Sequence, residues 1–113
     1  MMPLPPCRRN PDGSGFTLAL GPDLAAWRGH FPGDPVLPGV VQVDWAIRLG
    51  EALFGPLGRF SGLDQLKFLA PIRPGCEVEV RLALDPARAS LGFQYLGEAG
   101  RLSSGLVRFQ PAP

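Results

Sequence analysis

The sequence is poor in metal-binding side chains. It holds one histidine, His30, and two cysteines, Cys7 and Cys76, with no CxxC pair. A zinc centre needs three or four such ligands at close spacing, so no metal site is expected. No cofactor is called for either. Two lone cysteines do not make a disulfide framework, and both are expected as free thiols. Charge of one sign is also lacking. Eleven basic residues against ten acidic ones leave a net charge of +1, with no basic run. That excludes an electrostatic case for nucleic acid. No apolar run approaches the roughly 18 residues that a membrane helix requires. The start, Met1-Met2-Pro3-Leu4-Pro5-Pro6, lacks the apolar core of a signal peptide. The expected compartment is the cytoplasm.

Glycine (15) and proline (14) are plentiful. They concentrate in Gly29-His30-Phe31-Pro32-Gly33-Asp34-Pro35-Val36-Leu37-Pro38-Gly39-Val40. Proline fixes φ and removes a donor, so this run is neither helix nor central strand. It is expected as a stiff loop that holds one imidazole in place. Val40 to Phe54 follows without proline and ends at Gly55-Pro56, a helix with a stop signal. Its apolar residues lie almost all round, which reads as a buried helix. Asp44, Arg48 and Glu51 share one stripe, and Gln42 points roughly the opposite way.

Hydrophobic residues make up 45% and charged residues 19% of 113, an ordinary globular composition for one domain. Residues 1–13 read as a flexible proline-rich arm, 14–110 as the domain and 111–113 as a tail. Phe16 to Leu20 alternates as a strand, and a short helical piece is expected around Leu24 to Trp27. Four more strands are expected after the helix. The first is Leu63 to Ala70, with Leu66, Phe68 and Ala70 on one side. Glu77 to Leu84 points Val78, Val80, Leu82 and Leu84 inward. The third is marked by Leu91, Phe93 and Tyr95, and the last runs from Arg101 to Gln110. Short turns imply antiparallel pairing. The expected fold is α+β, an antiparallel sheet wrapped around one long helix. Its edge strands favour dimerisation.

The loop, with an acid fourteen residues after its histidine, resembles the hot-dog-fold 3-hydroxyacyl-acyl-carrier-protein dehydratases of fatty acid synthesis. Within that family the chain is most similar to the small stand-alone dehydratases of aryl polyene biosynthesis. Gln42-Val43-Asp44-Trp45, Lys67-Phe68, Pro71, Pro74-Gly75 and Ser103-Ser104-Gly105 carry that likeness. The resemblance implies His30 as catalytic base and Asp44 as its acidic partner. It implies Gly39 as the N–H donor to the thioester carbonyl, with Val40 beside it. The Val36 carbonyl would hold the second imidazole nitrogen, and Phe68 would line the acyl tunnel. It also implies a homodimer whose sites combine histidine and acid from different subunits, with acyl carrier protein as partner. Arg48 departs from the family's more usual glutamine.

The residues alone leave alternatives open. A lone loop histidine is more often a surface residue than a base. Asp44 with Arg48 reads equally as an exposed i,i+4 pair. Trp45 and Phe68 read as core. Lys67, Arg73 and Arg101 suit an acidic carrier protein or plain solvation. The same fold also hosts acyl thioesterases and non-catalytic carrier-binding subunits.

Overall fold

Alternation and turn chemistry place five strands and one long helix, and the structure adds a sixth strand near the N-terminus. The computed structural model describes residues 2–27 and 33–110. His30 therefore lies outside the described residues. In chain order come β1 (Cys7–Arg9), β2 (Gly15–Leu20), a single turn at Ala25–Trp27 and α1 (Gly39–Phe54). β3 (Arg59–Phe68), β4 (Cys76–Asp85), a turn at Pro86–Arg88, β5 (Ser90–Gly97) and β6 (Gly100–Gln110) follow. All pair antiparallel in one sheet of order β1-β2-β4-β5-β6-β3. The helix lies against β2, β4 and β5. The expected α+β arrangement, a sheet wrapped around one helix, is present.

The inward positions are those the alternation marks, except that Leu84 at the end of β4 is only half-buried. Phe16, Leu18 and Leu20 on β2, Val78, Val80 and Leu82 on β4, and Leu91, Phe93 and Tyr95 on β5 are all buried. From α1 they meet Val41, Trp45, Ala46 and Leu49. Burying each large apolar side chain is worth about 1.5–3 kcal/mol, so this layer holds the fold together.

Three expectations need correction. Cys7–Arg9, placed in a flexible arm, pair with Phe16–Leu18 as the edge strand. Strand hydrogen bonds to β2 outweigh the surrounding prolines, and Pro5 is buried. β3 begins at Arg59 and ends at Phe68, rather than running from Leu63 to Ala70. Its alternation is interrupted between Asp64 and Lys67, where Gln65 takes φ 53°. That bulge breaks the period on which the sequence reading relied. Lastly, α1 is not buried all round. One side packs on the sheet, while Val40 remains 77% exposed.

The β2–β4 pair is close at one point. Gly15 has φ +151°, and a Cβ there would lie 1.9 Å from the Val80 carbonyl oxygen. Backbone cannot move aside without breaking the ladder. Gly15→Ala should therefore lower stability by about 3 kcal/mol, the scale of a steric core defect. At Gly21 an added methyl group would meet nothing within 4 Å, so alanine there should be tolerated within about 0.5 kcal/mol. Thermal unfolding of the two variants checks both statements.

Candidate active site

The site begins where the proline-rich loop becomes α1. Pro38 stands at the N-cap, with no side-chain capping bond. Its carbonyl accepts from both Val41 N and Gln42 N at 3.1 Å. The Gly39 and Val40 N–H groups have no acceptor among the described residues. They lie at the positive end of the helix dipole, which favours a developing negative charge.

Gly39 also forms the wall of an apolar groove of about 450 Å³ between α1 and β3. Val40, Val43, Asp44 and Ile47 line it from the helix, and Phe60, Leu63, Leu66 and Phe68 from the strand. The Phe68 ring closes on Gly39 so tightly that a Cβ there would sit 2.8 Å from Cζ. Gly105 makes similar room for Leu66, whose Cδ2 would be 2.5 Å from an added Cβ. A second hollow, of about 370 Å³, shares Gly39 and Phe68 and runs past Val36, Leu37 and Gln42. Phe68 thus lines both hollows.

Asp44 is the carboxylate in the groove. Its side chain is 35% exposed, and Arg48 Nη1 lies 3.5 Å from its Oδ2. The same Arg48 nitrogen donates to the Met2 carbonyl at 2.7 Å. The shorter bond draws the guanidinium toward the N-terminal segment, so Asp44 is only loosely paired. Beneath the helix Tyr95 is fully buried and donates to the Gln42 carbonyl at 2.7 Å. Burial, and then the Asp44 charge, push its phenol well above the ordinary value. It stays a neutral donor.

The structure therefore brings Gly39, Val40, Asp44 and Phe68 together in one groove, with Val36 on the adjoining hollow. Sequence reasoning missed Phe60, Leu63, Val43 and Ile47 as lining residues. Their signal was an apolar character in excess of what one sheet face buries. It also missed the role of Gln42, whose amide joins Leu37 to Ser103. Arg73 pairs with Asp34. Lys67 and Arg101 line a hollow of about 480 Å³ together with Arg81. Among the described residues no cluster of His, Cys, Asp and Glu could hold a metal ion. Nor is any helix there long and apolar enough to cross a membrane. Cys7 and Cys76 are free thiols.

Residues 8–106 match the family model described as ApeI-like, ApeI dehydratase. The chain belongs to the ApeI-like dehydratase family. A chain of "The Dehydratase Heterocomplex ApeI:P from Xenorhabdus doucetiae" superposes with a TM-score of 0.83 at 31% identity, covering 92% of this chain and 96% of that one. With it the architecture is the hot-dog fold. An uncharacterized protein from Erwinia carotovora subsp. atroseptica gives 0.75 at 33% identity, over 85% of this chain and 81% of its own. Among curated relatives, the 3-hydroxyacyl-[acyl-carrier-protein] dehydratase FabZ of Herpetosiphon aurantiacus is 34% identical over 71 residues, 57% of this chain and 50% of its own. That of Alkaliphilus metalliredigens is 34% identical over 92 residues, 72% of this chain and 63% of its own. The chain spans about half the length of the first of these relatives.

The loose Asp44–Arg48 pair predicts a small structural role for the acid. Asp44→Asn should change stability by less than about 1 kcal/mol, as for a partly exposed ion pair. Chemical denaturation measures this directly. A loss of several kcal/mol would show that the carboxylate is a structural anchor.

Proposed function

We propose that this protein removes water from a 3-hydroxyacyl thioester carried on acyl carrier protein, giving the 2-enoyl thioester in fatty acid or polyene biosynthesis. The observation that carries the reading is the convergence in one apolar groove of a loosely paired carboxylate, Asp44, and the free N–H groups of a helix start. Family membership and the names of the relatives support it.

The chemistry suits these groups. The His30 imidazole, in its neutral form, takes the proton α to the carbonyl. Charge then builds on the thioester oxygen, which the Gly39 N–H and the α1 dipole stabilise. The β-hydroxyl leaves with a proton that Asp44 delivers from its protonated form, directly or through water, so that enoyl thioester and water are the products; return of the proton held on the His30 imidazolium to the Asp44 carboxylate resets the site. The Val36 carbonyl orients the imidazole, and Val40 and Phe68 contact the acyl chain. The thioester arm enters by one hollow and the acyl chain lies in the other, with Phe68 lining both.

A homodimer belongs to this reading. Val40, Phe60, Leu63, Leu66 and Phe68 are large apolar side chains exposed on one face. A contiguous face of that kind marks an interface. A second copy of the chain covers it, and each site then joins His30 of one subunit to Asp44 of its partner. Lys67 and Arg101 give the acidic carrier protein a basic surface beside Phe68. The compartment that fits this work is the cytoplasm.

Incubation with a 3-hydroxyacyl carrier thioester, followed by mass spectrometry, tests the reaction. Loss of water is expected, while release of free acid would replace this reading with thioester hydrolysis. His30→Ala should abolish turnover. Asp44→Asn should lower it by about 10²–10⁴, the usual worth of positioned acid–base help.

The dimer has its own test. Leu63→Lys puts a charge on the exposed face and should shift the protein to a monomer in sedimentation. Mixing His30→Ala with Asp44→Ala chains under exchange should restore part of the activity, because the mixed dimer holds one intact site. No recovery despite proven exchange would place both residues of a site on one chain.

A further inference from the structure

Among the described residues Gln42 is a buried polar side chain hydrogen-bonded at both ends of its amide. It is 4% exposed and faces the sheet. Its Nε2 donates to the Leu37 carbonyl at 3.0 Å, and its Oε1 accepts from Ser103 Oγ at 2.6 Å. Its own carbonyl accepts from the Tyr95 hydroxyl at 2.7 Å. Ser103 and Tyr95 are both completely buried. Buried polar groups are costly unless each finds a partner, and here each does.

The network reaches the helix start. Leu37 lies two residues before Gly39, and it is held at both ends. Its N–H donates to the Ile72 carbonyl at 2.8 Å, and its own carbonyl is taken by Gln42. Pro38 has no N–H, and α1 has no side-chain cap. Among the described residues, Gln42 is the only side chain that hydrogen-bonds residues 36–40. It therefore works as a strut from β6 to the peptide that leads into Gly39. It also lines the hollow that Gly39 shares with Val36 and Phe68.

The geometry points to Gln42 as a positioning residue, which through Leu37 and Ser103 fixes where the Gly39 and Val40 N–H groups meet the thioester oxygen. This inference rests on the dehydratase reading above. An oxyanion donor misplaced by about 1 Å can cost on the order of 10²-fold in rate. The amide is required because one end must donate while the other accepts. A leucine would fill the space but leave Leu37 and Ser103 unpaired.

Glutamate discriminates, because it reproduces the pattern only when protonated. Its acid form donates to the Leu37 carbonyl and accepts from Ser103. Its carboxylate can only accept, and it faces a carbonyl oxygen. Burial raises the pKa of such a group, so the change falls above the ordinary glutamate value. The ionisable group facing this position from β5 is Tyr95, which stays neutral. From β6 it is met by Ser103 and from the loop by Leu37, neither of which titrates. On its own helix Asp44 is the nearest acid in sequence.

The experiment is turnover by the full chain of Gln42→Glu across pH, with amide shifts of Gly39 and Val40 recorded on the same samples. At the acid end kcat should lie within about threefold of wild type. It should fall about 10–100-fold as the buried carboxyl ionises, with KM changed little. The wild type, measured in parallel, should lack this step. The two amide shifts should titrate with the same midpoint. Turnover that follows the wild-type profile, or amides that do not titrate, would overturn the inference. Ser103→Ala, which removes one end of the strut, covers a Gln42→Glu chain that fails to fold. It should lower kcat about five- to tenfold at every pH with KM unchanged, and an unchanged kcat would equally overturn the inference. A wild type that leaves the thioester intact would remove the dehydratase reading, while the amide titration would still decide whether the strut exists.

Discussion

Most of this structure follows from one mismatch. Helix α1 carries apolar side chains around more of its circumference than one sheet can cover. Trp45, Ala46 and Leu49 go under the sheet and are all but inaccessible. Val40 stays in solvent, opposite an equally apolar stretch of β3. Each side chain left out forgoes about 1.5–3 kcal/mol of burial. A fold that tolerates this keeps an apolar face open, and on the proposed reading that face receives an acyl chain and a second subunit. The groove is a consequence of incomplete coverage and needs no separate architectural device.

Polar groups matter most where that groove meets the start of the helix. A helix beginning at proline and glycine has free N–H groups and no side chain in the way. In water those groups would be solvated and unremarkable. Beside an apolar groove they sit in a lower dielectric, where a dipole acts more strongly on developing charge. Asp44 enters the same space from the next turn. Arg48 is drawn off toward the Met2 carbonyl, so the carboxylate is not neutralised by a close ion pair. The N-terminal segment, by accepting that guanidinium, contributes to the electrostatics of the site.

The helix start is also rigidly supported. Tyr95 on β5 and Ser103 on β6 reach up to Gln42 of the helix, one to its carbonyl and the other to its side-chain oxygen. Among the described residues no buried side-chain nitrogen or oxygen lacks a partner. Dry polar networks of this kind specify one arrangement, because any shift leaves a donor or acceptor unpaired. The loop leading to Gly39 is thus tied through the helix's own Gln42 to Ser103 on the sheet.

The sequence alone determined the local elements and the chemistry-bearing motif. Alternation on β2, β4 and β5 marks the core, because a strand's side chains change face at every residue. The proline–glycine loop, the helix stop at Gly55-Pro56 and the Asp44–Arg48 spacing are likewise local. So is the family likeness carried by those residues. Tertiary structure decided the rest. β1 exists because β2 offers it a ladder, which no property of Cys7–Arg9 announces. β3 loses its alternation at Gln65, since a bulge is set by the partner strand β6. Phe60, Leu63 and Ile47 became groove residues only once α1 and β3 were laid side by side. Gln42 became a strut only when Leu37 and Ser103, 66 positions apart in the chain, were brought to its two ends. Contacts between distant segments depend on how the sheet curves over the helix, and no local period encodes that curvature.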